Sequence, residues 1–262
     1  MRQLEPWLAY VDAWAPELRA RMRSAAPERI AALEARRGRP LPAIQREFLA
    51  LVGGNGAGEL DPLLANLEFD VHQMERRVAS AADLRAIDLG DYVGWSCLAH
   101  TRDPLHPAEL FLAPSQIGEG LDGEFCVVTA MPAENAPEHV HVLNATLLEY
   151  LLLDAHCFVR RARCAHAAVF IVNPARDGEP RRTLRGRSRR DRFLTIVEGL
   201  GLSPVVGADR WWLGFESLDA AMWCYVGPQG SDCEVALMAE HPQCFDEYYH
   251  IIEDNLELHR IR

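Results

Sequence analysis

The 262-residue chain reads as an α+β protein in two successive domains, a helix–sheet–helix domain over 1–156 and a smaller α+β sandwich over 157–262. Two observations predict this. Apolar residues recur at helical spacing through the first sixty or so positions, then give way to short runs rich in Val, Phe and Leu between turn residues. From Ala167 a second strand–helix–strand series starts afresh, so the two halves are expected to meet near 157–166.

The opening residues, 4–24, read as one long amphipathic helix. Trp7, Leu8, Val11, Trp14, Leu18 and Met22 fall on one stripe, and Arg19, Arg21 and Arg23 suit the negative end of its dipole. Core packing explains this stripe better than a ligand groove does. Ser24-Ala25-Ala26-Pro27 breaks the helix, and Ser24 or the Pro27 turn starts the next one.

Residues 30–58, IAALEARRGRPLPAIQREFLALVGGNGAG, organise the N-terminal half. They read as two short helices hinged at 38–42. Gly38 takes the positive φ that ends the first, Pro40 forbids its continuation, and Pro42 suits the first turn of the second. Ile44, Phe48, Leu51 and Val52 give that helix a wide apolar face. Gly53-Gly54-Asn55-Gly56 ends it, on the expectation that these residues enter left-handed conformations cheaply.

Helix, Leu-Pro, helix with an aromatic–Leu pair, then Gly-Asn-Gly resembles the signature of the SUKH superfamily. That group is related to a fungal cell-wall-synthesis regulator and to many bacterial toxin-immunity proteins. The residues that carry the resemblance are Leu33-Glu34, Gly38, Leu41-Pro42, Phe48-Leu49 and Gly54-Asn55-Gly56. The chain departs from the pattern at Ile44, where members carry an extended aromatic, and at Ala57, where they read a second glycine. The resemblance spans residues 1 to about 156, most strongly 28–58. It implies a SUKH-like helix–sheet–helix domain closed by a helix after the last strand.

Beyond the glycine turn, Asp61-Pro62 opens a short turn and 70–86 reads as mostly helical. Strands follow at 92–98, around Trp95, and at 108–113. A hairpin signal at Asp122-Gly123 leads into a strand over 124–130, and 139–143 alternates as a half-buried strand does. Asn144 and Thr146 are placed to cap a helix over 147–155. In the second half, strands are expected at 167–172 and 234–238, and helices at 189–200 and 245–258. A hairpin over 204–206 and 211–215 lies between them, while 217–226 suits either a short helix or a strand. That order fits a split-βαβ sandwich.

The formal net charge of −11 argues against general nucleic-acid affinity and suits a basic protein partner. All 27 Lys+Arg cations are arginine. No apolar run approaches the roughly 18–20 residues of a membrane span, and MRQLEPWLAYVDAW lacks the apolar core of a signal peptide. Seven irregularly spaced cysteines imply no disulfide framework. A cytoplasmic protein with no membrane partner is expected.

Three stretches invite a chemical reading. Residues 181–192, RRTLRGRSRRDR, hold seven arginines and one aspartate, which is a clamp for phosphate or an acidic surface, or a solvated loop balanced by the chain's own carboxylates. His156-Cys157 with Cys164 and His166 offers donors that zinc accepts, at a spacing that matches no standard zinc module. His139 and His141 share one face of a strand near Glu134 and Glu138, which offers a metal two ligands in want of a third but better suits a solvated face. There is no G-x-S-x-G elbow, no HExxH and no P-loop, Gly118-x-Gly120 lacks a strand–turn–helix setting, and the Cys97/His100 pair faces opposite sides of a strand. The expectation is therefore a non-enzyme with no cofactor and no metal. Its expected role is a binding protein, which the resemblance narrows to an immunity protein that occludes a toxin such as a basic nuclease. A scaffold or regulatory adaptor is the alternative, and an enzyme with an unrecognised C-terminal site a third. Loop placement nominates Glu59, Asp61, Asp88, Asp91 and Glu119 as partner-facing acids.

Overall fold

The computed structural model describes residues 3–64, 67–69, 96–101, 109–114, 125–130, 140–172, 186–209, 211–226, 233–256 and 258–260. The chain divides into two compact units, Met1–Ala155 and His156–Arg262, and both mix helix and sheet.

The first unit opens with α1 (Glu5–Trp14) and α2 (Pro16–Arg21) rather than one helix over 4–24. Pro16 has no N–H to give the helix ladder, and its ring drives the preceding residue out of the α region. Ala15 accordingly sits at φ −148°, ψ 57°. The apolar stripe survives the break, because Trp7, Leu8, Val11 and Leu18 are all buried. Next come α3 (Pro27–Arg37) and α4 (Ala43–Val52), joined through Gly38 at φ 69°. Trp7 and Phe69 both pack on Phe48, with ring centroids at 6.3 Å and 5.3 Å.

The sheet of this unit runs β1 (Leu67–Glu68), β2 (Ser96–Thr101), β3 (Glu109–Pro114), β4 (Phe125–Ala130) and β5 (Val140–Asn144), in that spatial order. All neighbours are antiparallel. Then α5 (Leu147–Ala155) packs on β4 and β5 and against α1. Thr146 accepts the Glu149 N–H on Oγ1 at 3.1 Å, and the Glu149 carboxylate takes the Ala145 N–H at 2.9 Å. This is a reciprocal cap that uses Glu149, which the capping argument from Asn144 and Thr146 omitted. The helix expected over 70–86, Trp95, the Asp122-Gly123 hairpin, Gly118, Gly120, Glu134, Glu138 and His139 lie outside the described residues.

The second unit begins with a π-helical turn, His156–Arg160, that runs into a short α6 (Arg161–Arg163). The junction expected near 157–166 is thus helical as far as Arg163. Then follow β6 (His166–Val172), α7 (Gly186–Gly199), β7 (Ser203–Asp209), β8 (Trp212–Glu216), β9 (Ala220–Val226), β10 (Cys233–Ala239), α8 (Pro242–Leu256) and β11 (Leu258–Arg260). The sheet order is β11-β6-β10-β9-β8-β7, antiparallel throughout. By parity β6 and β7 run parallel with three strands between them, and β10 and β11 run parallel with β6 between. Each pair is joined through a helix, so both crossovers are split-βαβ units.

Helices α7 and α8 lie side by side on the sheet, where Phe193, Val197, Phe215, Met222, Leu237 and Ile252 form the core. Residues 220–226 are a strand because they find hydrogen-bonding neighbours on both sides, in β8 and β10. The arginine-rich stretch is no loop from Gly186 onward: it forms the first turns of α7. There Arg189 is buried, and Arg192 donates through Nη1 to the Asn255 carbonyl at 3.1 Å. Residues 181–185 lie outside the described residues.

Candidate functional site

In the first unit the signature residues converge on two ties. Glu34 Oε1 accepts the Leu41 N–H at 2.9 Å and the Arg46 guanidinium at 2.6 Å and 3.1 Å, which fastens the hinge between α3 and α4. Hydrogen bonding from Arg46, then from the Leu41 N–H, holds the Glu34 carboxyl below the usual range. Asn55, 1% exposed, is the second tie. Its Oδ1 accepts the Arg23 N–H at 2.7 Å, and its Nδ2 donates to the Arg21 carbonyl at 2.9 Å. Gly54 adds an N–H to the Arg23 carbonyl at 2.8 Å.

The glycines of this turn serve close approach. Gly53 sits at φ −66°, and the left-handed glycines among the described residues are Gly38, Gly58, Gly201 and Gly207. A Cβ on Gly54 would stand 2.5 Å from the Ser24 carbonyl oxygen, and one on Gly53 would stand 2.7 Å from that of Leu49. The expectation that 53–56 takes left-handed conformations is therefore corrected for Gly53, Gly54 and Gly56, none of which has a positive φ. At Gly53 and Gly54 it is space that excludes the side chain.

Glu59, nominated as a partner-facing acid, is the third member of the Asn55 tie. Its carboxylate pairs with Arg23 and accepts the Gly56 N–H at 2.8 Å and Asn55 Nδ2 at 3.2 Å. The Arg23 hydrogen bond, followed by the Gly56 N–H, lowers its carboxyl to about 2. Asp61 is exposed at the following turn. Asp88, Asp91 and Glu119 lie outside the described residues.

In the second unit polar groups gather around the β8–β9 turn. Arg160, fully buried, donates through Nη2 to the carbonyls of Ser217, Leu218 and Ala220 at 2.8, 3.2 and 3.2 Å. A guanidinium suits this task, since its fixed fork of donors satisfies several carbonyls at once. Glu216 Oε2 stands 3.9 Å from Arg160 Nε and 3.8 Å from His156 Nδ1. Burial, helped by the Arg160 charge, pushes the His156 imidazole down to about 3, so it is neutral at physiological pH. His156 lies edge-on to Trp212 with centroids at 5.4 Å. The indole covers Gly214, where a Cβ would meet the ring at 2.9 Å. His156 and Arg160 share a face because they stand four positions apart on the π-helical turn, a deformation of the helix that often accompanies a functional position.

Across the same turn, the Glu240 N–H donates to the Asp219 carbonyl at 2.8 Å, joining the β8–β9 and β10–α8 connections. The donor atoms of Asp219, Glu240 and His241 lie within 4.8 Å of one another. Among the described residues this is the group whose geometry suits a metal ion. The set read from sequence, His156, Cys157, Cys164 and His166, forms no such group there. His156 is turned to Glu216 and Trp212, while His166 stacks on Phe245 with centroids at 5.7 Å. Sequence reading missed Arg160, Glu216 and the Asp219 group. Asp219 and Glu240 are 21 positions apart, and only the antiparallel pairing of β9 with β10, ending at Ala220 opposite Ala239, brings them together.

No protein-family model matches the chain, and no curated protein matches it. Among the described residues no helix is long and apolar enough to cross a membrane.

Proposed function

We propose that the protein is a non-catalytic binding protein of the SUKH type, an immunity protein that neutralises a contact-delivered or polymorphic toxin in the cytosol by covering it. The observation that carries this reading is the use of the signature residues. Glu34, Gly54, Asn55 and the adjoining Glu59 are all engaged in holding helices and turns together. A signature that maintains a scaffold, with recognition left to the surrounding surface, is what a family of inhibitors with diverse targets requires. The net charge of −11 supports a basic target, because an acidic inhibitor gains association rate from steering and covers a phosphate-binding cleft.

The test is co-purification of the tagged full chain at native level from its host, with bound proteins identified by mass spectrometry. One dominant partner is expected, a large secreted or contact-delivered protein with a basic C-terminal domain whose toxicity this chain abolishes. Several unrelated housekeeping partners would replace immunity with an adaptor role. A partner domain whose toxicity is unchanged by the chain would overturn the reading.

A further inference from the structure

We propose that Asp219, Glu240 and His241 bind one divalent transition-metal ion of the zinc class at the β8–β9 end of the second unit. Their donor atoms converge to within 4.8 Å of one another. Two features separate the group from a patch of surface acids. The first is an imidazole beside the two carboxylates, which selects zinc-type ions over calcium or magnesium. The second is backbone placement: the Glu240 N–H donates to the Asp219 carbonyl at 2.8 Å, so the two carboxylates are carried on backbones tied directly to each other.

The scaffold beneath is preorganised. Arg160 pins the carbonyls of Ser217, Leu218 and Ala220, so the turn that carries Asp219 is held from below. The Glu240 N–H holds the Asp219 backbone from the other side. The two carboxylates and the imidazole lie within 4.8 Å of one another, a spacing that a single divalent cation can bridge while offsetting the charge of both acids. Three protein donors leave at least one coordination position open to water or to a donor from a partner.

The test is a zinc titration of the chelator-treated full chain against a chromophoric competitor. One ion per chain is expected, and His241→Ala and Asp219→Asn should each weaken binding by roughly tenfold or more, with unchanged far-UV circular dichroism. Both residues are exposed, so neither change should disturb the fold. Cys244→Ser should keep the wild-type affinity. Absence of binding, binding unaltered by both ligand variants, equal competition by calcium, or loss of binding in Cys244→Ser would each overturn the assignment.

Discussion

Asn55 and Arg23 are joined through the backbone: the Arg23 N–H is held by Asn55 Oδ1 at 2.7 Å, 32 positions away in the chain. Since Asn55 Nδ2 also donates to the Arg21 carbonyl, one buried amide closes the end of α2 onto the turn after α4. Asn55→Ala should leave both backbone groups without their partner. We expect a loss of about 2–3 kcal/mol, read as a lower midpoint in urea with an unchanged m-value. A loss below about 0.5 kcal/mol would mean that water replaces the amide at no cost.

Gly54 and Gly56 should respond differently to alanine, although they flank the same asparagine. At Gly54 the methyl meets the Ser24 carbonyl oxygen at 2.5 Å, a backbone atom that cannot step aside alone. At Gly56 its nearest neighbour is Glu59 Cδ at 3.6 Å, an ordinary contact. Gly54→Ala should cost about 2 kcal/mol or more, and Gly56→Ala less than about 1 kcal/mol. Thermal melts of the two variants side by side check the ranking.

Arg160→Met should destabilise the chain by about 3–5 kcal/mol, because it strips three carbonyls of their donor and leaves Glu216 beside a neutral side chain. Methionine fills similar space, so the loss reads the polar ties rather than a cavity. Denaturant unfolding followed by tryptophan fluorescence suits the measurement, given Trp212 near the site.

Stability should depend on pH through two groups of opposite sign. Burial raises the Asp154 carboxyl to about 8 from an ordinary 3.8, so between those values the folded state holds a proton that the unfolded chain has lost. Stability from this group therefore falls as pH rises from about 4 to about 8. His156 is lowered to about 3 from 6.5, so the unfolded chain binds the extra proton, and stability falls as pH drops below 6.5. The two slopes oppose each other between about 4 and 6.5, and Asp154 acts alone from there to about 8. Asp154→Asn should abolish the alkaline decline and expose the His156 slope. Unfolding midpoints of wild type and variant at pH 5, 6.5 and 8 (about one and a half units apart) decide it.

Local elements whose signals lie within a few positions were legible in the sequence. Helix α4 follows from Ile44, Phe48, Leu51 and Val52 at helical spacing, although its buried face turns out to be Gln45, Phe48, Leu49 and Val52, and Gly38 does end α3 at positive φ. The break at Ala15 was legible too, since Pro16 announces it, but the continuous apolar stripe from Trp7 to Leu18 masked the local rule. The candidate site was not legible. Arg160 sits 57 to 60 positions from the carbonyls it serves, and nothing near it in the chain distinguishes it from Arg161 or Arg163, which are exposed.

By itself, the sequence determined the α+β class, the helical hinge at 38–42, the acidic balance and most strand positions, because turn residues and apolar period act over a few residues. Tertiary structure alone decided that 220–226 is a strand, that Gly53 and Gly54 are needed for space, and that Asp219 meets Glu240 and His241. Each of these depends on which backbone lies alongside another, and that is settled by sheet register and packing between positions far apart in the chain.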